Sequence, residues 1–542
     1  MVAAKPGRRD LPPVRGRGGP RAAVLFLSPM RRHPIAIVAL TAAALVLRLL
    51  RLDATEPWLD EACSAWYAGL PPADLMAALA VENHPPLYYL LLKAVLDLFG
   101  TSTGTLRALS VVAGTAWVPA AWAVGRRWLG PGAALAGAAA IAIHPLAIHH
   151  AVDARPYVLA PLLVLLALDR WGAWLANRRG RDLAGWVALA AAAFLTHHFA
   201  GPAALAPALV AWACAPGVRR GRDLGWLALP AAAVALPFLP FALGRLGGPS
   251  LDWIGRYWHG PWDALATTGA TFAGTGPHPA WLGALAFARL PDPWPPAGVA
   301  LAWGLVALGV ADRARHGARD AAPAWALLAV PILFPLAISL ALRPAYLAGR
   351  YEVYALPAMC LAAGAGIAPV ARGLRWPGGI AGAAWGALLL ATVAAWVPSA
   401  FQQPNRTFHE LLAREPRAVD AVIAVGYAWA PFAFHERAAP TGVPVTAVPG
   451  PLAGHPGWWD FDTPVTPDAL APVPPGDGDV WLLAMHGDGF EAWRDAQAAR
   501  IAATGRVPGR PVRFGDTVLR VFSRPAADPE APTPDRAPPP GP

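Results

Sequence analysis

The stretch Pro85–Phe99, with the sequence PPLYYLLLKAVLDLF, decides how the rest of this chain is arranged. It is strongly apolar, but it is shorter than the roughly 20 residues that usually cross a bilayer core as a helix. It also carries Lys93 and Asp97. The stretch either crosses a membrane or lies along its surface as an amphipathic helix, and the charges elsewhere in the chain distinguish these two placements.

The composition is that of a membrane protein with many spans. The chain is 56% hydrophobic and 14% charged, whereas about a quarter of the residues in soluble domains are charged. The mean hydropathy is +0.40. The apolar residues fall in runs of about 15–22 residues, the length of a helix that crosses a bilayer core. These features predict an all-α polytopic membrane protein.

The positive charge is explained by membrane topology. The net charge is +10, and a nucleic-acid-binding protein is the alternative for such a basic chain. The arginines, however, cluster in short loops between apolar runs, as they do on the cytoplasmic side of membrane proteins. We therefore expect no nucleic-acid partner. Cys63, Cys214 and Cys360 are scattered and form no disulfide framework or metal-binding pair.

The arginine loops decide where Pro85–Phe99 lies. If this stretch crossed the membrane, five basic loops would fall outside, against the positive-inside rule. If it lies on the surface, all five fall inside, and we adopt this placement. The loops comprise residues 125–128, 177–182, 217–223, 312–320 and 371–377.

Eleven spans follow, with the N-terminus inside. The first has the basic front of a signal peptide, but no small-residue cleavage site follows it, so we interpret it as an uncleaved anchor. The outer side then receives the loop 51–106, the loop around Asp153, the loop 244–296 and the chain after about residue 400. The predicted spans are 34–50, 107–124, 131–148, 156–175, 183–197, 199–215, 224–243, 297–311, 322–341, 351–370 and 379–399.

Sequence character divides the chain into four parts. Residues 1–32 form a basic tail that we expect to be disordered, with Met30 as an alternative start, and residues 33–400 form the transmembrane domain. Residues 401–524 predict a small extracytoplasmic α/β domain, and residues 525–542 a second disordered tail. Within the α/β domain we expect strands at 419–425, 480–485 and 517–522 and a helix at 489–505.

Acidic residues at the outer membrane surface are the first candidates for chemistry. Asp60 and Glu61 follow the first span, where a carboxylate can serve as a general base or a cation ligand. The alternative is an ordinary helix N-terminus, which favours acids. Glu82 and His84 precede Pro85, and they either bind a divalent metal or cap the helix.

Further polar residues lie at the outer ends of other spans. Arg107 opens the second span as an interfacial anchor or a phosphate ligand. In the sequence HHAVDARPY at 149–157, Asp153 and Arg155 either pair with each other or form a site together with Tyr157. His197 and His198 end the fifth span and are candidate metal ligands.

Two arginines break the charge pattern. Arg343 and Arg350, the second followed by Tyr351, lie between the ninth and tenth spans, on the outer side. A cation at this face needs a partner, and an anionic lipid-phosphate head group is a natural one. The alternative is a salt bridge to acids of the outer loops.

These motifs together resemble the C-type (GT-C) glycosyltransferase superfamily, in the branch of protein O-mannosyltransferases and the lipid A aminoarabinose transferase. The resemblance covers residues 34–400. It rests on the order and common side of five pieces, namely Asp60-Glu61, HPPLYYLLLK at 84–93, GTSTGTLRALS at 100–110, DARPY at 153–157 and AGRYEVYALP at 348–357.

The resemblance implies a role for most of the candidate residues. Asp60 matches the general base, and Glu61 completes its motif. Glu82 and Asp153 match positions that hold a metal or the substrate in relatives, although relatives often carry Glu where this chain has Asp153. His84, His197 and His198 stay candidate metal or substrate-positioning residues from their own places in the sequence. The resemblance places the donor phosphate at Arg107, Arg155, Arg350 and Tyr351, and Tyr157, which follows Arg155 at the same span end, is a further candidate for binding it.

The implied activity is that of a hexosyl- or pentosyltransferase in a bacterial inner membrane. The donor is a polyprenyl-phosphate sugar, and the acceptor is a protein, lipid or glycan of the envelope. A carboxylate deprotonates the acceptor, while arginines, with or without a divalent metal, neutralise the departing phosphate. A flippase for lipid-linked sugars and a non-catalytic envelope scaffold remain the alternatives. The acids lie at span ends rather than at the bilayer midplane, which favours the enzyme.

Overall fold

The computed structural model describes most of the chain. The described residues are 32–79, 85–215, 220–243, 254–275, 290–316, 318–367, 375–395, 404–450, 465–485, 489–514 and 517–525. Glu82 and His84 lie outside them, as do the two tails that we expect to be disordered, apart from Arg32 and Pro525.

The first helix leads into an outer segment of three short helices. These elements are α1 (Arg32–Leu49), α2 (Leu59–Gly69), α3 (Pro72–Leu79) and α4 (Leu87–Phe99). Helix α4 buries Tyr88, Tyr89, Leu92 and Leu96 on one face, and it packs against α2 and the following helix. Its opposite face exposes Leu90, Leu91, Leu98 and Phe99. This division suits a helix that lies on the membrane surface.

The remaining helices of the large domain overlap the predicted spans, except α12, which lies in the predicted outer loop 244–296. Four of them, α5, α8, α13 and α14 below, are long and apolar enough to cross a membrane, and the bent pair α6–α7 would make a fifth. The total of eleven spans stays a prediction. The helices are α5 (Thr103–Trp128), α6 (Pro131–Ile143), α7 (Pro145–Ala151), α8 (Leu159–Asn177), α9 (Gly180–Phe194), α10 (Ala200–Cys214), α11 (Arg220–Leu243), α12 (Pro261–Ala273), α13 (Trp294–His316), α14 (Ala318–Ala341), α15 (Ala355–Ile367) and α16 (Arg375–Ala394).

The third predicted span is bent rather than straight. Helices α6 and α7 meet at an angle of 60°. Pro145 has no N–H to donate and restricts the residue before it, and His144 is accordingly extended, with φ −71° and ψ 124°. The Nδ1 atom of His144 accepts a hydrogen bond from the amide of Leu146 at 3.2 Å and so caps α7. The bend turns His149 and His150 towards the outer segment.

Helix α15 is the central helix of the large domain, and it packs closely on its neighbours through glycines. All its residues except the last are buried. A Cβ atom on Gly364 would overlap the carbonyl oxygen of Ala133 in α6, and one on Gly366 would overlap that of Leu305 in α13. Because glycine lets backbones approach this closely, α15 is fixed directly below the loop 342–354.

The C-terminal region forms a mixed sheet between helices. Strand β1 lies between β2 and β3 and is parallel to both, and β6 pairs antiparallel with β3. Phe408 and Phe432 belong to the core on one face, and Phe490 and Trp493 to that on the other. The predicted fold class, a mostly helical protein with a small sheet domain, is confirmed. The elements are α17 (Pro404–Arg414), β1 (Val419–Val425), α18 (Trp429–Ala438), β2 (Val445–Val448), β3 (Asp479–Met485), α19 (Glu491–Ala502), β4 (Val507–Pro508), β5 (Val512–Phe514) and β6 (Thr517–Ser523).

The sheet domain docks onto the outer segment. The carboxylate of Glu56 accepts hydrogen bonds from the side chain of Asn405 at 3.0 Å and the amide of Arg406 at 3.2 Å. The imidazole of His435 lies 3.4 Å from the same carboxylate. In addition, Arg437 of α18 donates a hydrogen bond to the carbonyl of Ala65 in α2 at 3.0 Å.

Candidate active site

Adjacent residues at the start of α2 place two carboxylates in different surroundings. Asp60 and Glu61 occupy the first turn, where the positive end of the helix dipole favours acids. Neighbouring residues of a helix point about 100° apart, since a turn takes about 3.6 residues. Glu61 therefore faces the protein interior, whereas Asp60 faces the loop before α15.

Glu61 forms a buried ion pair with Arg107. The two carboxylate oxygens accept hydrogen bonds from Nε of Arg107 at 2.8 Å and from Nη2 at 2.6 Å. Both side chains are only 1% exposed. The guanidinium also donates to the carbonyls of Leu52, Thr55 and Glu56. Arg107 thus fastens the chain that leads into α2.

Asp60 is bound by two arginines that come from distant parts of the chain. Its Oδ2 atom lies 2.6 Å from Nη2 of Arg350 and 3.8 Å from Nε of Arg155. Nε of Arg350 donates a hydrogen bond to the hydroxyl of Tyr157 at 2.6 Å. The side chain of Asp60 is 24% exposed, against 5% for Arg350 and 6% for Arg155. Asp60 is therefore the carboxylate of this group that an external molecule can reach.

Arg155 connects α2 to α4. Its Nη1 atom lies 3.4 Å from the carbonyl oxygen of Asp60, 3.3 Å from the hydroxyl of Ser64 and 3.3 Å from that of Tyr89. These bonds fix the guanidinium beside the carboxylate of Asp60.

A third carboxylate, Asp153, is buried beside two histidines. Nε1 of Trp58 donates a hydrogen bond to Oδ1 of Asp153 at 3.1 Å. Burial, and after it the nearby charge of Glu61, raises the pKa of Asp153 to about 7. Potential ligand atoms of His149, His150 and Asp153 all lie within 4.8 Å of one another. Two imidazoles and a carboxylate suit a divalent transition-metal ion.

The hydrogen bonds of this triad leave ligand atoms available. Nε2 of His150 bonds the carbonyl oxygen of Gly349 at 2.7 Å, while its Nδ1 atom has no hydrogen-bond partner among the described residues. A small cavity lies alongside and is lined in part by Glu61, His149 and Asp153. The residues present therefore fit a metal ion.

The predicted histidine pair lies apart from this triad. His197 is buried and packs against Tyr157 and Tyr351, with ring centroids 5.7 and 5.8 Å away, whereas His198 is exposed. Tyr351 in turn contacts Phe199, and Phe199 contacts Phe334 of α14. An aromatic row thus runs from Tyr157 to Phe334, which is 38% exposed on the outside of the helical domain.

The charges around Arg350 keep it cationic. Burial alone would lower the pKa of Arg350, but Tyr157 and Asp60 outweigh burial and raise it above its ordinary value. The guanidinium therefore stays charged at all physiological pH values and can bind an anion.

The structure adds residues that sequence reasoning missed. His149 and His150 join Asp153 because Pro145 bends the helix that carries them. Glu352 is fully buried two residues after Arg350. An acid within a predicted span is a signal of function in itself, and it was available from the sequence at this position.

Comparison with known proteins identifies the fold. A family model for dolichyl-phosphate-mannose-protein mannosyltransferases matches residues 83–243, and no curated protein matches the chain. The structure of ArnT from Cupriavidus metallidurans bound to undecaprenyl phosphate superimposes with a TM-score of 0.55 at 15% identity, covering 90% of this chain and 97% of that chain. The apo state gives a TM-score of 0.57 at 15% identity, with 90% and 98% covered.

A second solved structure also superimposes on this chain. The Archaeoglobus fulgidus oligosaccharyltransferase, tethered with an acceptor peptide, superimposes with a TM-score of 0.52 at 13% identity, covering 92% of this chain and 74% of that chain. The resemblance stated from the sequence motifs is thereby confirmed. The chain therefore shares the fold of these two membrane proteins, and its residues 83–243 are similar to the dolichyl-phosphate-mannose-protein mannosyltransferase family.

Proposed function

We propose that this chain transfers a hexose or pentose from a polyprenyl phosphate to a hydroxyl group of an envelope acceptor, with Asp60 as the general base. The observation that carries the proposal is the position of Asp60 between Arg350 and Arg155. A partly exposed carboxylate there lies beside two buried cations. That pairing supplies a base for the acceptor and a binding site for an anionic leaving group.

The donor phosphate competes with Asp60 for the arginines. Nη2 of Arg350 donates a hydrogen bond to Oδ2 of Asp60. A phosphodiester that binds Arg350 through charge-assisted hydrogen bonds draws the guanidinium away from the carboxylate. Asp60 then loses a stabilising cation and becomes a stronger base. In this way the donor itself prepares the base.

The transfer is a single displacement. The acceptor oxygen forms a bond to the anomeric carbon while its proton passes to the carboxylate of Asp60. The bond between the anomeric carbon and the phosphate oxygen breaks, and its electron pair stays on the polyprenyl phosphate. Arg350 and Arg155 neutralise that developing charge, with Tyr157 and Tyr351 bordering the phosphate. The configuration at the anomeric carbon inverts.

The aromatic row supports a lateral path for the lipid. It joins the arginines to Phe334 on the outer surface of α14. A prenyl chain that lies along this row stays in an apolar environment while its phosphate reaches Arg350. The ArnT structure, which contains undecaprenyl phosphate, supports a lipid carrier of this class.

The remaining charged residues support this centre. Glu61 and Arg107 hold the segment before α2 and so position Asp60. A divalent metal, where one is used, would be held by His149, His150 and Asp153, and it would supply positive charge that stabilises the transition state. Glu82 and His84 lie outside the described residues, and we keep them as candidates for positioning the substrate.

The predicted topology places this centre on the outer face of a bacterial inner membrane. It also places the sheet domain on that face, in contact with α2, where it is suited to select the acceptor. Protein, lipid and glycan acceptors all present the hydroxyl group that the reaction requires.

The proposal is tested with purified protein in lipid nanodiscs. A panel of undecaprenyl-phosphate sugars and an envelope fraction serve as substrates, and both sugar transfer and release of undecaprenyl phosphate are measured. Asp60→Asn is compared with Asp53→Asn, a matched change at a carboxylate that is 64% exposed in the same loop. We expect Asp60→Asn to lower transfer by at least about 10²-fold, as for a lost general base, and Asp53→Asn to transfer like wild type.

Other outcomes distinguish the alternatives. Transfer that survives in Asp60→Asn excludes Asp60 as the base. Movement of labelled lipid between leaflets without transfer would indicate a flippase. The assay is repeated after treatment with a metal chelator, and a loss that added Mn²⁺ or Zn²⁺ reverses would assign a metal to the reaction.

A further inference from the structure

The loop 342–354 carries Arg350, and most of it is buried. Residues 345–354 are all buried, although they form neither a helix nor a strand. Backbone groups in such a loop need partners, because an unpaired buried amide or carbonyl destabilises the fold. The partners of this loop therefore decide where Arg350 points.

Glu352 supplies the central partner. One of its carboxylate oxygens, Oε1, accepts hydrogen bonds from the amide of Gly349 and, at 2.9 Å, from the hydroxyl of Thr268 in α12. The hydroxyls of Thr268 and Tyr346 are 2.7 Å apart. Glu352 is 0% exposed, and Thr268 and Tyr346 are each 2% exposed.

This network brackets Arg350 along the chain. Glu352 follows Arg350 by two residues, yet its carboxylate binds the N–H of Gly349, the residue that immediately precedes Arg350. Gly349 has a φ of 79°, a left-handed conformation in which glycine is favoured. On the other side of the turn, His150 of α7 bonds the carbonyl of Gly349. The turn is thus fixed by α12 through Glu352 and by α7 through His150.

We propose that Glu352 is a positioning residue for sugar transfer, which with Thr268 and Tyr346 fixes the turn at Gly349 so that Arg350 faces Asp60 and the donor phosphate. This inference rests on the proposed function of Arg350. It gives α12 a task in the reaction, although α12 lies far from Asp60 in sequence. Glu352 acts as an acceptor, so an uncharged residue with the same acceptor oxygen should replace it.

The test compares Glu352→Leu with Glu352→Gln. Leucine removes the acceptor oxygen, whereas glutamine keeps it. We expect kcat to fall about 10²-fold in Glu352→Leu, the loss that a misplacement of about 1 Å produces. Glutamine should restore most of that rate. Thr268→Val removes one donor from the carboxylate without changing the shape of the side chain, and it should show a smaller loss of the same kind.

A double-mutant cycle separates positioning from general stability. If Glu352 acts through Arg350, then Glu352→Leu should cost less than about twofold in a chain that already carries Arg350→Gln, because residues that act as a unit are not additive. Additive losses, or a lower rate that follows a lower Tm, would overturn the proposal.

A second readout does not depend on transfer. Hydrogen–deuterium exchange of a peptide that covers residues 345–351 should be faster in Glu352→Leu and Thr268→Val than in wild type, and unchanged in Glu352→Gln. Equal exchange in all four proteins would overturn the proposal even if no donor is found. If wild type transfers nothing but the exchange pattern holds, then Glu352 does fix the turn at Gly349, and it is the proposed function that fails. Thr268→Val and Glu352→Gln keep this comparison possible if Glu352→Leu does not fold.

Discussion

Three carboxylates converge near the start of α2, and their exposure assigns different tasks to them. Asp60 is the exposed one and can meet an acceptor. Glu61 is paired with Arg107 in the interior, and Asp153 is buried beside two histidines. Since only a base that touches the substrate can take its proton, we expect Glu61 and Asp153 to act by holding other groups in place.

The pair of Glu61 and Arg107 should matter more for stability than for chemistry. Glu61→Gln leaves the charge of Arg107 buried without its counter-ion, and we expect a loss of about 3–5 kcal/mol in the free energy of unfolding. Thermal unfolding in detergent measures this loss. The double change Glu61→Leu with Arg107→Met removes both charges and should restore much of the stability. A Tm for Glu61→Gln equal to that of wild type would contradict this assignment.

The sequence indicated which residue types lie at the site, but it did not indicate which of these side chains contact one another. Asp60, Arg155, Tyr157 and Arg350 were expected at one membrane face because the predicted topology put them there. The direct bond between Asp60 and Arg350 joins residues 290 positions apart, and spacing along the chain contains no information about such a contact. The same holds for the partnership of Glu352 with Thr268.

Among the helices, α4 has the largest effect on topology. Its buried face carries Tyr88 and Tyr89, and Tyr89 reaches Arg155. In the predicted placement, α4 lies on the membrane surface and brings the hydroxyl of Tyr89 to Arg155. Because α4 does not cross the membrane in this placement, it does not invert the orientation of the spans that follow it.

Thiol labelling tests this placement of α4. Arg179→Cys and Glu410→Cys are introduced separately after Cys63, Cys214 and Cys360 are changed to alanine, and a membrane-impermeant maleimide is added to spheroplasts. We expect Glu410→Cys to react in intact spheroplasts and Arg179→Cys only after permeabilisation. The reverse pattern would mean that α4 crosses the membrane.

Hydropathy and charge predicted the helices well because both are local properties of the sequence. Each predicted span overlaps a helix, and the three strands expected at 419–425, 480–485 and 517–522 are present. The bend at Pro145 was missed, although proline there signals a break. The short strand β2 and helix α12 were also missed, since neither shows a clear period in sequence.

At the scale of the whole molecule, the outer segment joins the two domains. The backbone of residues 52–56 is bound by Arg107, and the side chain of Glu56 is bound by the sheet domain. The sheet domain is therefore linked to the start of α2, because Glu56 lies only three residues before Leu59. A bound acceptor that shifts the sheet domain would act on Asp60 by this route.

The sheet domain should lose stability in acid because of His409. Its Nε2 atom lies 3.2 Å from Glu436, but burial outweighs this carboxylate and lowers the pKa of His409. The unfolded chain then takes up a proton before the folded one does. Stability is complete above the ordinary histidine pKa of about 6.5 and falls as the pH drops below it.

This prediction is checked by thermal unfolding at pH 7.5 and pH 5.5. We expect the Tm of wild type to fall further between pH 7.5 and pH 5.5 than the Tm of His409→Gln, since the variant lacks the titrating group. The difference between the two proteins isolates His409 from the other histidines. An equal loss in both would show that His409 does not titrate in this range.

The close contacts of α15 determine which positions of the fold tolerate substitution. Backbone meeting backbone at Gly364 and Gly366 leaves no room for even one added methyl group, so these positions tolerate no replacement without moving a neighbouring helix. The lipid-facing surfaces need only stay apolar and are free to drift. A fold whose tolerance is distributed so unevenly needs few fixed residues, which agrees with the superposition of this chain on ArnT over 90% of its length at only 15% identity.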